Sequence, residues 1–210
     1  MWGTRILLRI LFRNCRYRTL HWYYVSNRTQ WQRIARRIRV PLGFVFAVVF
    51  LWLARPTWKT MAASLVLVVP GLWLRGYAAG YVRKNAELTR TGPYAYTRNP
   101  LYLGSMLIAF GFAAASGSWI IAVALAALFA AIYVPTILSE EQYLREHFTG
   151  FDDYARRVPR LLPRLIPART TDAWGSFSGE LYRHHREYNA LMGACVLYAA
   201  LAALLLFFRR

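Results

Sequence analysis

Trp119 to Leu138 is a run of 20 residues without a charge. At 1.5 Å per helical residue it reaches across a bilayer core of about 30 Å. That run fixes the class of fold before anything else is read. Four further apolar runs accompany it: Pro41 to Ala54, Thr60 to Leu74 continuing through Arg75 toward Gly80, Leu101 to Ala115, and Ala190 to Phe208. The expected fold is all-α, a polytopic membrane bundle of about five transmembrane helices. The first run has only 14 residues, so Arg39 and Arg55 at its flanks are expected to snorkel. The short connection through Pro56 predicts one helical hairpin, Ser116-Gly117-Ser118 a second, and Pro70-Gly71 a kink. Gly and Ala are dense in the third to fifth runs, where small residues let membrane helices approach closely.

Charge places the chain in the membrane. Lys and Arg number 27 against 9 Asp and Glu, a net charge of +18, while only 17% of residues are charged against about 25% in an average soluble domain. Residues 1–39 hold ten arginines and no acid. Arg5, Arg9, Arg13 and Arg16 share a helical face, with Ile6, Leu7, Ile10, Leu11 and Phe12 interleaved. This predicts an N-terminal amphipathic helix lying in the interface, its cations on anionic lipid headgroups. A secretory signal is not expected, since no apolar run of the needed length precedes Pro41. With the N-terminus inside, 23 basic residues fall on the cytoplasmic side and four outside, so a cytoplasmic N-terminus and an external C-terminus are expected. Nucleic acid is not an expected partner, because the cations flank apolar runs and form no recognition motif. Cys15 and Cys195 make no disulfide framework. His184-His185, between Arg183 and Arg186, lack metal-ligand spacing elsewhere, and no metal site is expected.

Two polar stretches on the predicted inner side abut the spans: Gly80 to Pro100 and Ser139 to Pro163. In the first, Gly92-Pro93 signals a turn, followed by Tyr94, Tyr96 and Arg98-Asn99-Pro100-Leu101-Tyr102-Leu103-Gly104. Pro100 suits the first helical position and Asn99 the cap, and a helix start attracts anionic groups. Gly104 leaves room for close backbone approach. In the second, Glu140 and Glu141 sit at the inner end of the fourth run. They point about 100° apart, so at most one readily faces the bundle interior. An ionisable group there is a functional candidate, although neutralisation by Arg98, Arg156 or Arg157 is the plainer account. Leu144 and Phe148 continue an apolar stripe, and Gly150 is expected to stop the helix.

Arg98-Asn99-Pro100-x-Tyr102-x-Gly104 resembles the R-H-P-x-Y-x-G signature of integral-membrane methyltransferases, the isoprenylcysteine carboxyl methyltransferases and related phospholipid methyltransferases. Glu140-Glu141-x-x-Leu144 is similar to their E-E-x-x-L motif, and Phe148, Gly150, Tyr154 and Val158-Pro159-Arg160 resemble the stretch after it. The resemblance covers roughly residues 60 to 165. It implies methyl transfer from S-adenosylmethionine to a lipophilic acceptor such as a phospholipid amine or a prenyl carboxylate. Carried onto matching positions, it implies cofactor contacts from Glu87, Leu88, Tyr94, Asn99, Pro100, Leu101, Tyr102, Glu140 and Glu141. Glu140, Tyr102 and Arg98 are the implied catalytic group. Two departures stand out: Asn99 replaces the family's usual His, and Thr136 stands where the prenylcysteine-specific branch carries an Arg. The alternative is a non-catalytic scaffold or accessory subunit of the same fold. The expected organisation is a basic segment 1–39, a methyltransferase core 40–165, and a linker with an additional C-terminal helix 166–210.

Overall fold

The structure, a computed structural model, describes residues 46–83, 87–168 and 175–208. The chain divides into two compact units, 1–49 and 50–210, and only 46–49 of the first is described. The predicted N-terminal amphipathic helix and residues 41–45 of the Pro41–Ala54 run lie outside the described residues. Among the described residues there are seven α-helices and no strand. They are α1 (46–53), α2 (Trp58–Ala79), α3 (Pro100–Ser116), α4 (Trp119–His147), α5 (Phe151–Arg157), α6 (Gly179–His184) and α7 (Tyr188–Ala203).

Among the described residues, three helices are long and apolar enough to cross a membrane: Trp58–Ala79, Trp119–His147 and Tyr188–Phe207. The run at Pro100–Ser116 forms a helix of 17 residues, about 26 Å long. Pro100 opens it, and Gly117 closes it in the left-handed region at φ 62°. The fourth run belongs to a longer helix that ends at His147, shortly before the expected stop at Gly150. α4 continues nine residues past Leu138, so Glu140, Glu141 and Leu144 belong to the same rod as the apolar run. Both Pro70 and Pro135 lie inside unbroken helices. Beside Pro135, which lacks an N–H, the Thr136 hydroxyl donates to the Ile132 carbonyl at 2.6 Å.

α2 and α3 form the closest-packed pair. Thr57 caps α2 through a capping box with Thr60, whose hydroxyl also donates to the Ala115 carbonyl at 3.1 Å. Along the seam, glycines set the distance. A Cβ on Gly104 would fall 2.6 Å from Arg75 Cγ and 2.8 Å from the Gly71 carbonyl oxygen, and one on Gly111 would fall 2.4 Å from Val68 Cγ2. Gly104→Val should therefore force the two helices apart and cost about 1–3 kcal/mol. A lowered melting temperature of the purified protein in detergent checks this, and an unchanged one contradicts the seam.

The C-terminal helix docks on the same pair. The Ser64 and Tyr198 hydroxyls share a hydrogen bond of 2.6 Å, and the Tyr198 ring lies 4.9 Å from that of Phe112. Arg75 makes a paired contact with Glu187, Nε to Oε2 and Nη2 to Oε1, both 3.0 Å, and also donates to Ser105. Ser64 and Arg75 on α2 thus meet Tyr198 and Glu187 in reverse order, so α7 runs antiparallel to α2. Ahead of it, Phe177 packs on Tyr77 and Tyr81, and Ser178 N–H donates to the Gly80 carbonyl at 2.9 Å.

Candidate active site

The site forms where α3 begins and α4 leaves its apolar run. Gly92 sits at φ 58°, and a Cβ there would press into the Tyr81 ring at 2.5 Å. This permits the tight 3₁₀ turn Gly92–Ala95 that carries Tyr94. The segment after α5 returns to this turn as a strap. Arg98 N–H donates to the Pro159 carbonyl (3.0 Å), Arg164 N–H to Tyr96 (3.0 Å) and Ala168 N–H to Ala95 (2.9 Å). The Thr97 hydroxyl donates to the Leu161 carbonyl at 3.0 Å. Beneath the strap, Phe151, Tyr154, Val158 and Ala168 form a buried cluster, and Tyr154 donates its hydroxyl proton to the Tyr94 carbonyl at 2.8 Å.

Asn99 stands at the N-cap of α3, as expected, but its side chain makes no capping bond. Its Nδ2 instead donates to the Arg160 carbonyl at 2.9 Å. The amide locks the strap to the helix start, and the Thr97 hydroxyl reaches the same carbonyl at 3.3 Å.

The adjacent glutamates have opposite surroundings. Glu141 is buried, 6% exposed, and receives three hydrogen bonds from Arg160 at 2.9–3.1 Å. Arg98 Nη1 lies 3.4 Å from the same carboxylate. Burial holds the Arg98 guanidinium below the usual arginine value, with Glu141 offsetting part of that, and the bonded Glu141 raises Arg160. Glu140 is exposed and accepts a hydrogen bond from the Tyr102 hydroxyl at 2.8 Å. Among the described residues no cation pairs with it. The Tyr102 ring meets Tyr133 edge-on at 5.3 Å, and Tyr133 stacks on Phe129 at 4.0 Å.

Burial raises the Tyr94 phenol well above the ordinary tyrosine value, with Tyr154, Glu140 and Glu187 adding to it. Burial also raises Tyr154, against Arg98 and Arg90. A phenol raised on folding stabilises the fold fully below the ordinary value of 10.0, and that stability is lost as pH climbs through the raised value. In a spectrophotometric titration, Tyr94 and Tyr154 should therefore be among the tyrosines that ionise only as the protein unfolds, after the exposed ones. Full ionisation of every tyrosine near pH 10 with the fold intact would contradict this packing.

The structure joins Tyr102 to Glu140 and Arg98 to Glu141, and places Asn99 and Pro100 directly beside the latter pair. Leu101 contributes its carbonyl to the Ser105 hydroxyl. Glu87 and Leu88 are engaged elsewhere: Glu87 is exposed, 3.7 Å from Arg83, and Leu88 packs on the cluster under the strap. Arg98 faces Glu141 through Nη1, and its Nε is buried without a hydrogen-bond partner. Of the arginines read as neutralising the acids, Arg98 does so, whereas Arg156 lies 3.8 Å from Asp153 and Arg157 donates Nε to the Asp153 carbonyl. Arg160 takes their place. Sequence reading also missed Arg75 with Glu187, for which a lone cation near the end of an apolar run was the available signal. A shallow depression of about 230 Å³ between Arg145 and Arg156 involves none of the tyrosines or glutamates of the site.

The tyrosine-carboxylate couple at the polar end of α3 and α4 lies in a stretch that resembles known sequences. Residues 58–150 match the family described as phospholipid methyltransferase. This stretch runs from the start of α2 through the end of α4 and contains both motifs. Over 137 residues, 65% of the chain, the protein is 34% identical to the nickel-cobalt-cadmium resistance protein NccN of Alcaligenes xylosoxydans xylosoxydans and 34% identical to the cobalt-zinc-cadmium resistance protein CzcN of Cupriavidus metallidurans. The matched region covers 63% and 62% of those proteins, under two thirds of their length. No solved structure matches the chain. Among the described residues no group of three or more His, Cys, Asp or Glu side chains is placed to hold a metal ion.

Proposed function

We propose that this protein is a membrane methyltransferase that moves a methyl group from S-adenosylmethionine to a lipophilic acceptor. The observation that carries the reading is the Tyr102–Glu140 hydrogen bond, which joins the two family motifs across 38 residues of sequence at the polar end of α3 and α4. The donor set suits the cofactor. Glu140 presents a carboxylate held by a neutral phenol, which suits a cation, and the Arg98 Nε is buried without a hydrogen-bond partner, which suits a carboxylate. Bound there, S-adenosylmethionine supplies an electrophilic methyl group on a positively charged sulfur. Tyr102 fixes the rotamer of Glu140, and Tyr133 fixes the ring of Tyr102. Glu140 then takes the proton of a protonated acceptor or balances positive charge at the reacting centre. In this reading the site faces the cytosol, the core spans residues 40–165 within a bundle of about five spans, and the acceptor enters sideways from the bilayer.

Asn99 supports a second reading, a scaffold of the same fold. Its amide is committed to the Arg160 carbonyl, where the family's His would bring an ionisable ring. Calorimetric titration of the purified protein with S-adenosylmethionine and its demethylated product separates the two. Saturable heat supports the enzyme, and no heat at millimolar ligand leaves the scaffold. Membranes incubated with methyl-labelled cofactor then identify the acceptor by the labelled lipid.

A further inference from the structure

The strap that pins the start of α3 also carries an unexplained apolar rim. Its inward side chains, Val158 and Ala168, are buried, whereas Leu162, Leu165 and Ile166 are 76%, 99% and 73% exposed. Their outward direction is fixed by backbone hydrogen bonds at Arg98, Arg164 and Ala168, so they have no inward alternative. Exposed apolar patches rimmed by charge mark protein or membrane contacts.

Depth decides which. Arg160 grips Glu141, three residues past the end of the uncharged run at Leu138, hence about 5 Å beyond it along the axis of α4. Arg164 and Ala168 are tied to Tyr96 and Ala95, just ahead of the first residue of α3. The strap therefore lies level with the boundary where two apolar helices leave the hydrocarbon. Residues 150–168 hold four arginines, Arg156, Arg157, Arg160 and Arg164, against Asp152 and Asp153. Asp152 is paired with Arg145 and Asp153 lies near Arg156. The surplus is cationic and complements anionic headgroups.

We infer that the strap rim, Leu162, Leu165 and Ile166 beside Arg164, inserts into the anionic headgroup layer of the membrane in which the helices sit. The leucines and isoleucine enter the headgroup and upper acyl region, and the Arg164 guanidinium stays among the phosphates. The membrane thereby holds the outer face of the strap whose inner face holds Asn99 and Glu141.

The inference is tested by depth and needs no methyl transfer, so it stands or falls apart from the proposed function. In a background with Cys15 and Cys195 replaced by Ser, Leu165→Cys and Thr149→Cys are labelled with an environment-sensitive fluorophore. Each is reconstituted in nanodiscs of phosphatidylethanolamine and phosphatidylglycerol. Thr149 follows the last turn of α4, so its label is the aqueous control. The label at 165 should emit to the blue, resist aqueous iodide, and lose roughly half its emission to lipids bearing a nitroxide high on the acyl chain. The label at 149 should do the reverse. Ile166→Cys reads the same depth should the first variant reconstitute poorly. A label at 165 as open to iodide as that at 149 would leave the patch to a protein partner and overturn the inference.

Discussion

Glu141→Ala should cost about 3–5 kcal/mol of stability, the usual penalty for removing one partner of a buried charge pair. The carboxylate is buried and serves two arginines, of which Arg98 has a side chain only 12% exposed. Without Glu141, the Arg98 guanidinium stays in place with its charge uncompensated, because its backbone is tied to Pro159. Arg160 suffers less, its side chain being 52% exposed and able to turn to water. The loss should reach beyond the pair: freed from Glu141, Arg160 no longer holds its carbonyl against Asn99, and the strap loosens from the start of α3. Glu141→Gln keeps an acceptor for one N–H and should fall between wild type and Glu141→Ala. Melting curves of the purified variants in detergent measure the order, and a Glu141→Ala protein as stable as wild type would refute the buried ion pair.

The contrast between the two glutamates also shows what a sequence makes legible. The apolar runs located α2, α3, α4 and α7, because twenty residues of hydrocarbon-compatible sequence have few other places to go. Helical geometry alone required that Glu140 and Glu141 point in different directions. Which one turns inward depends on Arg160, 19 residues on, and on a backbone return that only tertiary structure reveals. Asn99 teaches the same lesson. Its position at the helix cap follows from Pro100, a local effect, but its side chain answers to a carbonyl 61 residues away. Arg75 and Glu187 pair across 112 residues of sequence. Each was visible as a charge in an apolar setting, and neither announced its partner. The bounds of α3 were legible for a local reason: Pro100 opens it and Gly117 closes it.

Glu140→Gln should leave the fold intact and, if the proposed chemistry is right, lower turnover by about 10²–10³, the loss typical of one preorganised charge at a reacting centre. Glu140 is exposed, so removing its charge strands no buried cation. The amide is nearly isosteric and its oxygen can still accept from Tyr102, so the geometry of the pair survives while its negative charge does not. Tyr102→Phe does the opposite. It retains the carboxylate and the edge-on contact with Tyr133 but removes the hydroxyl that fixes the carboxylate rotamer. Its loss should be smaller, about tenfold, since a neighbouring water can partly replace one hydrogen bond. Single-turnover rates measured beside calorimetric affinities separate the two effects. Glu140→Gln should reduce the rate at saturating cofactor, whereas Tyr102→Phe should reduce rate and raise rotameric disorder without changing net charge. A Glu140→Gln protein with wild-type affinity and wild-type turnover would remove this carboxylate from the mechanism. The Tyr102–Glu140 bond would then be only the link that fastens α3 to α4.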